Sequence, residues 1–167
     1  AVHHLVNALV HAGNAGLLFL FLRRMGFGDA AAFAASAIFG VHPVTSEAVN
    51  GIAFREDPMV LFFFLAALLA RFAALDAAGA AGPQRPSSVA LRLAAMVLFA
   101  VLALLSKETA LLLPVAALLC DGLSSRDRAA RGTRYVSVLL LGLASAGFLW
   151  LRFGPMQREV EVGLKLW

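Results

Sequence analysis

Long apolar runs separated by short polar connections dominate the sequence, and they leave few folds open. A helix needs about 20 mainly apolar residues, within a range of roughly 17–25, to cross the hydrocarbon of a bilayer. Six runs approach that length: Leu5–Leu22, Ala30–Val44, Pro58–Leu75, Ser88–Leu105, Thr109–Leu123 and Tyr135–Phe153. The second and fifth hold about 15 residues each, so they tilt little, extend into their loops or stop short of a full crossing. The runs are rich in Ala and Leu and do not alternate as barrel strands must. The expected fold is therefore all-α, a polytopic transmembrane helix bundle of about six spans. Composition agrees: 61% of residues are hydrophobic and 14% charged, where a soluble domain has about half and a quarter.

At 167 residues the chain makes one bundle. It does not begin with Met and its first residues are already in mid-pattern, so residues 1–167 read as a partial transmembrane domain. No charged n-region or cleavage site precedes the first run, so no signal peptide is expected. No period of 20–50 residues repeats.

The connections carry stop and start signals. Arg23 and Arg24 with Gly26 and Gly28 close the first run, and Asp29 is placed to cap the second. Asp76 to Ser88 reads as a Gly/Pro/Ser linker, and Ser124 to Arg134 as a basic loop. The net charge of +4 sits in these connections, so it reports topology rather than nucleic acid. Arg23, Arg24, Arg71, Arg85, Arg92, Arg126, Arg128, Arg131 and Arg134 fall in alternate loops. Arg55, Lys107, Arg152, Arg158 and Lys165 fall on the opposite side. The positive-inside rule places the first group in the cytoplasm. Both chain ends, the loop from His42 to Pro58 and the Ser106–Lys107–Glu108 turn then face outward. The single cysteine, Cys120, lies in an apolar run; it excludes an internal disulfide and reads as a buried, inert thiol.

Polar groups next to spans are the candidates for chemistry. His4, Asn7, His11 and Asn14 recur at helical spacing and form one stripe on the first helix. In lipid such a stripe must face protein or a water-filled cavity, and interhelical hydrogen bonding is its simplest role. His3 and His4, at the outer end, are placed to touch a polar ligand. His4 and His11 are two turns apart, roughly 10 Å, too far to share a metal ion, so no metal site is expected.

In the His42–Pro58 stretch, Pro43 ends the second run and Ser46 to Phe54 can form a short interfacial helix, with Glu47 on a separate face. Asp57 before Pro58 suits an N-cap with proline as the first helical residue. Glu47 and Arg55 are either solvated or directed into a cavity to bind an anion or a sugar hydroxyl. The helices starting at Pro58 and Thr109 both aim their N-termini outward, which favours anions there. Arg55 and Lys107 add positive charge on that side, an arrangement suited to phosphate. The competing reading has Lys107 snorkelling to the headgroups and Glu108 simply solvated. No GxxxxGK loop, GxGxxG, HExxH or GxSxG pattern occurs.

Taken in order, His4-Leu5-Val6-Asn7 with His11, Ile38-Phe39-Gly40-Val41-His42-Pro43-Val44-Thr45-Ser46-Glu47-Ala48-Val49, Arg55 and Asp57, then Leu105-Ser106-Lys107-Glu108 with Leu113-Pro114, resemble the transmembrane and tetratricopeptide-repeat O-mannosyltransferases and their bacterial relatives. The resemblance runs over most of residues 1–123 and implies a membrane glycosyltransferase of the GT-C superfamily. Such enzymes move a sugar from a polyprenyl-phosphate donor to an acceptor on the outer or lumenal face. For the eukaryotic relatives the sugar is mannose and the acceptor a protein hydroxyl.

On that resemblance Lys107 matches a basic residue near the lipid phosphate, with Arg55 assisting. His42, Glu47, Asp57, Glu108 and His4 line the acceptor or polar site, and Glu47 or Asp57 positions the acceptor or a divalent cation. The catalytic base is expected on an outer loop before the first span, and a repeat domain after the last, both outside this chain. Expected partners are a polyprenyl-phosphate-sugar lipid, an acceptor protein or glycan, and membrane lipids, with no nucleic acid. The membrane is a bacterial inner membrane, or the endoplasmic reticulum in a eukaryote. Two readings compete: a transporter or flippase of a lipid-linked or anionic solute, and a non-catalytic scaffold.

Overall fold

The computed structural model describes residues 2–43, 45, 56–80, 86–123 and 130–154. Among these residues the fold is all-α, with no strand. The elements are α1 (Val2–Arg24), α2 (Asp29–Val41), α3 (Glu56–Gly79), α4 (Pro86–Ser106), a 3-10 segment η1 (Glu108–Leu112), α5 (Leu113–Leu123) and α6 (Arg131–Phe153). Among the described residues four helices are long and apolar enough to cross a membrane: α1, α3, α4 and α6.

Among the described residues the count of candidate spans is therefore four, where six were expected. The runs at Ala30–Val44 and Thr109–Leu123 do become helical, but they are short. At 13 residues α2 is about 20 Å long, well below the roughly 30 Å of bilayer hydrocarbon. The second begins with five 3-10 residues before the 11 residues of α5. Pro114, without an N–H, is tolerated in the first α turn but not deeper in a helix. It therefore marks the place where the 3-10 segment gives way to α5.

Two chain reversals show how local chemistry sets these lengths. The α1 end uses Gly26 at φ 97°, a left-handed conformation that a Cβ disfavours. The Gly26 N–H bonds the Arg23 carbonyl at 3.1 Å and the Phe27 N–H bonds that of Leu22 at 3.1 Å, closing the last turn. The other reversal is at the end of α2. His42, which precedes Pro43, is extended at φ −66° and ψ 133°, as a residue before proline prefers. The Thr45 hydroxyl then donates to the Phe39 and His42 carbonyls, at 3.0 and 2.7 Å. Gly28, not Asp29, is the N-cap residue of α2; Asp29 instead pairs with Arg23 at 2.5 Å.

The central element is α3. Its Leu68, Phe72, Ala74 and Leu75 are buried, and it packs against α1, α4, α5 and α6. Met96, Ala100 and Ala103 of α4 join Ala67 and Leu68 in the main core, with Leu113 and Ala117 of α5 and Leu141 of α6. Alanines recur in this contact, and small residues let membrane helices approach closely enough for van der Waals attraction. The outer surface is apolar: Leu9, Phe33, Leu98, Leu118, Leu139 and Trp150 are all exposed. So large an apolar surface suits lipid and not water.

Two further expectations change. Helix α3 runs on through Gly79, so the linker expected from Asp76 starts later. Arg71, counted above as a loop residue, lies within α3 and is fully buried.

Candidate functional site

Ion pairs fix which helix ends meet. The ammonium of Lys107, between α4 and η1, bonds the Asp57 carboxylate in the first turn of α3 and lies 3.5 Å from Glu56. Arg152, in the last turn of α6, pairs with Glu108 at 2.8 Å. One end of the bundle thus gathers the starts of α3 and η1 and the ends of α4 and α6. At the other end Arg24 of α1 pairs with Asp76 of α3, and Arg92 of α4 donates to the Ala73 carbonyl at 2.8 Å.

The backbone on both sides of Lys107 is held. Its N–H bonds the Ala103 carbonyl at 3.0 Å, closing α4, and its own carbonyl accepts from the Ala110 N–H at 3.1 Å. The residue itself is extended, at φ −161° and ψ 144°. This break turns the Lys107 side chain away from the α4 axis and toward α3. Ser106 takes no part, because its hydroxyl bonds back to the Leu102 carbonyl at 2.8 Å. The hydrogen bond to Asp57 is the largest influence and raises the Lys107 pKa; burial opposes it, and the charges of Asp57 and Glu56 add to the rise. Lys107 therefore stays cationic throughout the physiological range.

Of the predicted site residues, Lys107, Asp57 and Glu108 are brought to this end, with Glu56 added. Asp57 is not an N-cap, since helical structure already begins at Glu56; both acids sit in the first turn, where the macrodipole favours them. His4 is exposed on α1 and His42 is exposed after α2. No hydrogen bond or ion pair among the described residues joins either to Lys107. Glu47, Arg55 and the expected helix from Ser46 to Phe54 lie outside the described residues. In the ion pairs of this end, two cations, Lys107 and Arg152, meet three carboxylates. Each cation thus already has an anionic partner. No group of three or more His, Cys, Asp or Glu side chains that could hold a metal occurs among the described residues. Asp57 is also occupied by Lys107, so the described side chains do not form a divalent-cation site.

Of the polar stripe of α1, Asn7, His11 and Asn14 face protein while His4 does not. Asn7 and Asn14 are buried; Asn14 Nδ2 donates to the Pro58 carbonyl at 2.8 Å, and His11 Nε2 lies 3.1 Å from the Gly40 carbonyl. The stripe therefore ties α1 to both α2 and the first turn of α3, next to Asp57.

With the geometry in hand, similarity to known proteins can be stated. The mouse protein O-mannosyl-transferase TMTC2 is 43% identical over 68 residues, which is 40% of this chain and 8% of that protein. The human protein O-mannosyl-transferase TMTC3 is 36% identical over 67 residues, 40% of this chain and 7% of that protein. The Drosophila melanogaster protein O-mannosyl-transferase Tmtc1 is 33% identical over 147 residues, 87% of this chain. This chain is similar to part of the protein O-mannosyl-transferases. It spans only a small share of their length, 16% of the fly protein. No family model matches the chain, and no solved structure does.

One polar constellation escaped the sequence reading. Arg71 Nη1 and Nη2 grip both Asp121 carboxylate oxygens, at 3.0 and 2.6 Å, and its Nε donates to the Ser137 hydroxyl at 2.9 Å. The signal was present as an arginine one turn inside an apolar run and an aspartate near the end of another. Arg71 reads as a loop charge and Asp121 is not singled out, because their pairing spans 50 residues of chain.

Proposed function

We propose that this chain is part of a membrane glycosyltransferase of the protein O-mannosyl-transferase kind, built on the GT-C plan. In this reading it moves a sugar, mannose by analogy, from a polyprenyl-phosphate donor to a protein or glycan hydroxyl. The reaction takes place at the bundle end that carries Lys107, on the side away from the cytoplasm. The membrane is a bacterial inner membrane, or the endoplasmic reticulum in a eukaryote. The observation that carries the reading is the seating of Lys107 beside the first turn of α3, on a rigid break between α4 and η1.

The chemistry needs charge at the leaving group. The acceptor hydroxyl gives its proton to a general base, expected outside this chain, and its oxygen bonds the anomeric carbon; the bond from that carbon to the phosphate oxygen breaks, and its electron pair stays on the phosphate. Groups already aimed at the charge that develops there contribute most to such a step. Lys107 supplies a fixed cation with three donors. A phosphate entering here takes Lys107 from Asp57, and the released carboxylate is free to orient the acceptor hydroxyl. Arg55, one residue before Glu56, is the second cation in this reading. No step is assigned to a metal ion. Transporters place broken helices near mid-membrane; the break at η1 lies at the bundle end instead, which supports chemistry on a lipid headgroup.

The test is sugar transfer by the full-length protein from a polyprenyl-phosphate-mannose donor. Lys107→Ala is expected to lower kcat/KM by about 10²–10³-fold, as loss of one charge-stabilising donor does elsewhere. Lys107→Arg should retain more. Unchanged activity in Lys107→Ala would remove Lys107 from the phosphate site.

A further inference from the structure

Pro114 governs more than the start of α5. The 3-10 segment η1 runs for five residues, Glu108–Leu112, where such runs usually end after roughly three or four, so it needs a cause. Proline supplies one. In an α-helix the Ala110 carbonyl would accept from the N–H of the residue four places on, and Pro114 has none. The Leu113 N–H, three places on, donates to Ala110 instead. In the same pattern the Ala110 N–H donates to the Lys107 carbonyl at 3.1 Å. Both ends of η1 are anchored. On the α4 side the Lys107 N–H bonds the carbonyl of Ala103, which is wholly buried. On the α5 side Leu113 and Ala117 lie in the core, and Asp121 is gripped by Arg71. Between these anchors η1 is a strut of fixed length. Five residues rise about 10 Å as 3-10 helix and about 7.5 Å as α-helix, and the two forms differ in rotation by about 100°.

We infer that Pro114 is a positioning residue for the Lys107 site: by forbidding the α form of η1 it sets the length and rotation at which Lys107 faces Asp57 and Glu108 faces Arg152. An α-helical η1 would draw Glu108 and Lys107 about 2.5 Å toward α5 and swing them around its axis. Their partners sit on two other helices, Asp57 on α3 and Arg152 on α6, and do not follow that movement. Pro114 thus acts through the backbone of η1 and not on the substrate. Its effect on sugar transfer rests on the transferase reading; its effect on the place of Lys107 does not.

Pro114→Ala and Pro114→Gly in the full-length protein provide the test. Both restore the N–H, but alanine favours the α form over glycine about fivefold. Acylation of the Lys107 amine, read on its peptide by mass spectrometry, should quicken in Pro114→Ala by up to about fivefold, the upper end for loss of a partly exposed ion pair. The rise in Pro114→Gly should be smaller. For transfer from polyprenyl-phosphate-mannose, kcat/KM should fall about 10²-fold in Pro114→Ala, as a misplacement of an ångström or more does elsewhere. Adding Pro114→Ala to Lys107→Ala should cost nothing further, because the positioned group is already gone. Cys120 of α5 should stay closed to maleimide in Pro114→Ala, showing that α5 remains packed. Lys107 acylated at the wild-type rate overturns the inference. So do additive losses in the double variant, a loss in Pro114→Gly as large as in Pro114→Ala, or a reactive Cys120. Faster acylation with unchanged transfer keeps Pro114 as the residue that places Lys107 and sinks the phosphate reading of Lys107 instead.

Discussion

Lys107 and Asp57, 50 residues apart in the chain, are hydrogen-bonded across the seam between the α4–η1 break and the first turn of α3. The bond raises the Lys107 pKa above its ordinary value of 10.5. A base held above its ordinary value stabilises the folded state fully below pH 10.5, and that contribution fades as pH climbs through the higher folded value. Unfolding followed from neutral to strongly alkaline pH should therefore show an alkaline loss of stability that Lys107→Met reduces. An identical alkaline limb in both proteins would mean that the pair is not formed.

Arg71 is the most consequential buried charge. Single replacement of either partner leaves the other uncompensated in the bundle, a loss of about 3–5 kcal/mol where such pairs are broken elsewhere. Arg71→Leu and Asp121→Leu are each expected to lower stability on that scale in mixed-micelle denaturation, Asp121→Leu the more, because Arg71 is fully buried while Asp121 keeps some exposure. The double variant should recover most of the loss, since an apolar pair needs no compensation. Additive single effects would contradict the coupling.

Two glycines of α1 should behave oppositely. A Cβ on Gly13 would meet the Phe62 ring at 3.0 Å, whereas one on Gly16 meets nothing within 4 Å. Gly16→Ala should be neutral or stabilise by up to about 1 kcal/mol through helix propensity. Gly13→Val should loosen the contact between α1 and α3 and cost about 1–3 kcal/mol, the usual range for overpacking. Denaturation midpoints of the two variants distinguish them directly.

Cys120 is buried, 5% exposed, so the folded protein should resist maleimide until it is denatured. That silence makes the wild type a clean background for topology. Cysteines placed at Ser46 and Ser125 are expected to label from opposite sides of the membrane. Labelling from one side only would contradict the alternating helix directions.

Much of the bundle was legible because lipid imposes a strong composition rule. The helix positions, the closing turn at Gly26, the His42–Pro43 stop and the inward face of Asn7, His11 and Asn14 all follow from local pattern. Span number was misjudged because apolar composition does not measure helix length: Ala30–Val44 is mostly apolar, yet its helix closes at Val41. At the Lys107 end, Asp57 and Glu108 do lie beside Lys107, while the expected approach of Arg55 lies outside the described residues. The pairing of Lys107 with Asp57 was not legible, because a hydrogen bond between distant residues leaves no periodic trace. Arg71 failed for the same reason, reinforced by the habit of assigning basic residues near the end of an apolar run to a loop.

That arginine also has a consequence for biosynthesis. Its acidic partner lies 50 positions downstream. At ribosomal speeds of about 5–20 residues per second, several seconds pass before Asp121 emerges. During that interval α3 carries a bare guanidinium toward its far end, whose insertion costs less than the roughly 2.5–3.5 kcal/mol of a helix centre and is offset by the Phe- and Leu-rich half that precedes it. Stable lodging of the third helix thus waits on delivery of the fifth, which makes late translation the step that locks the assembly.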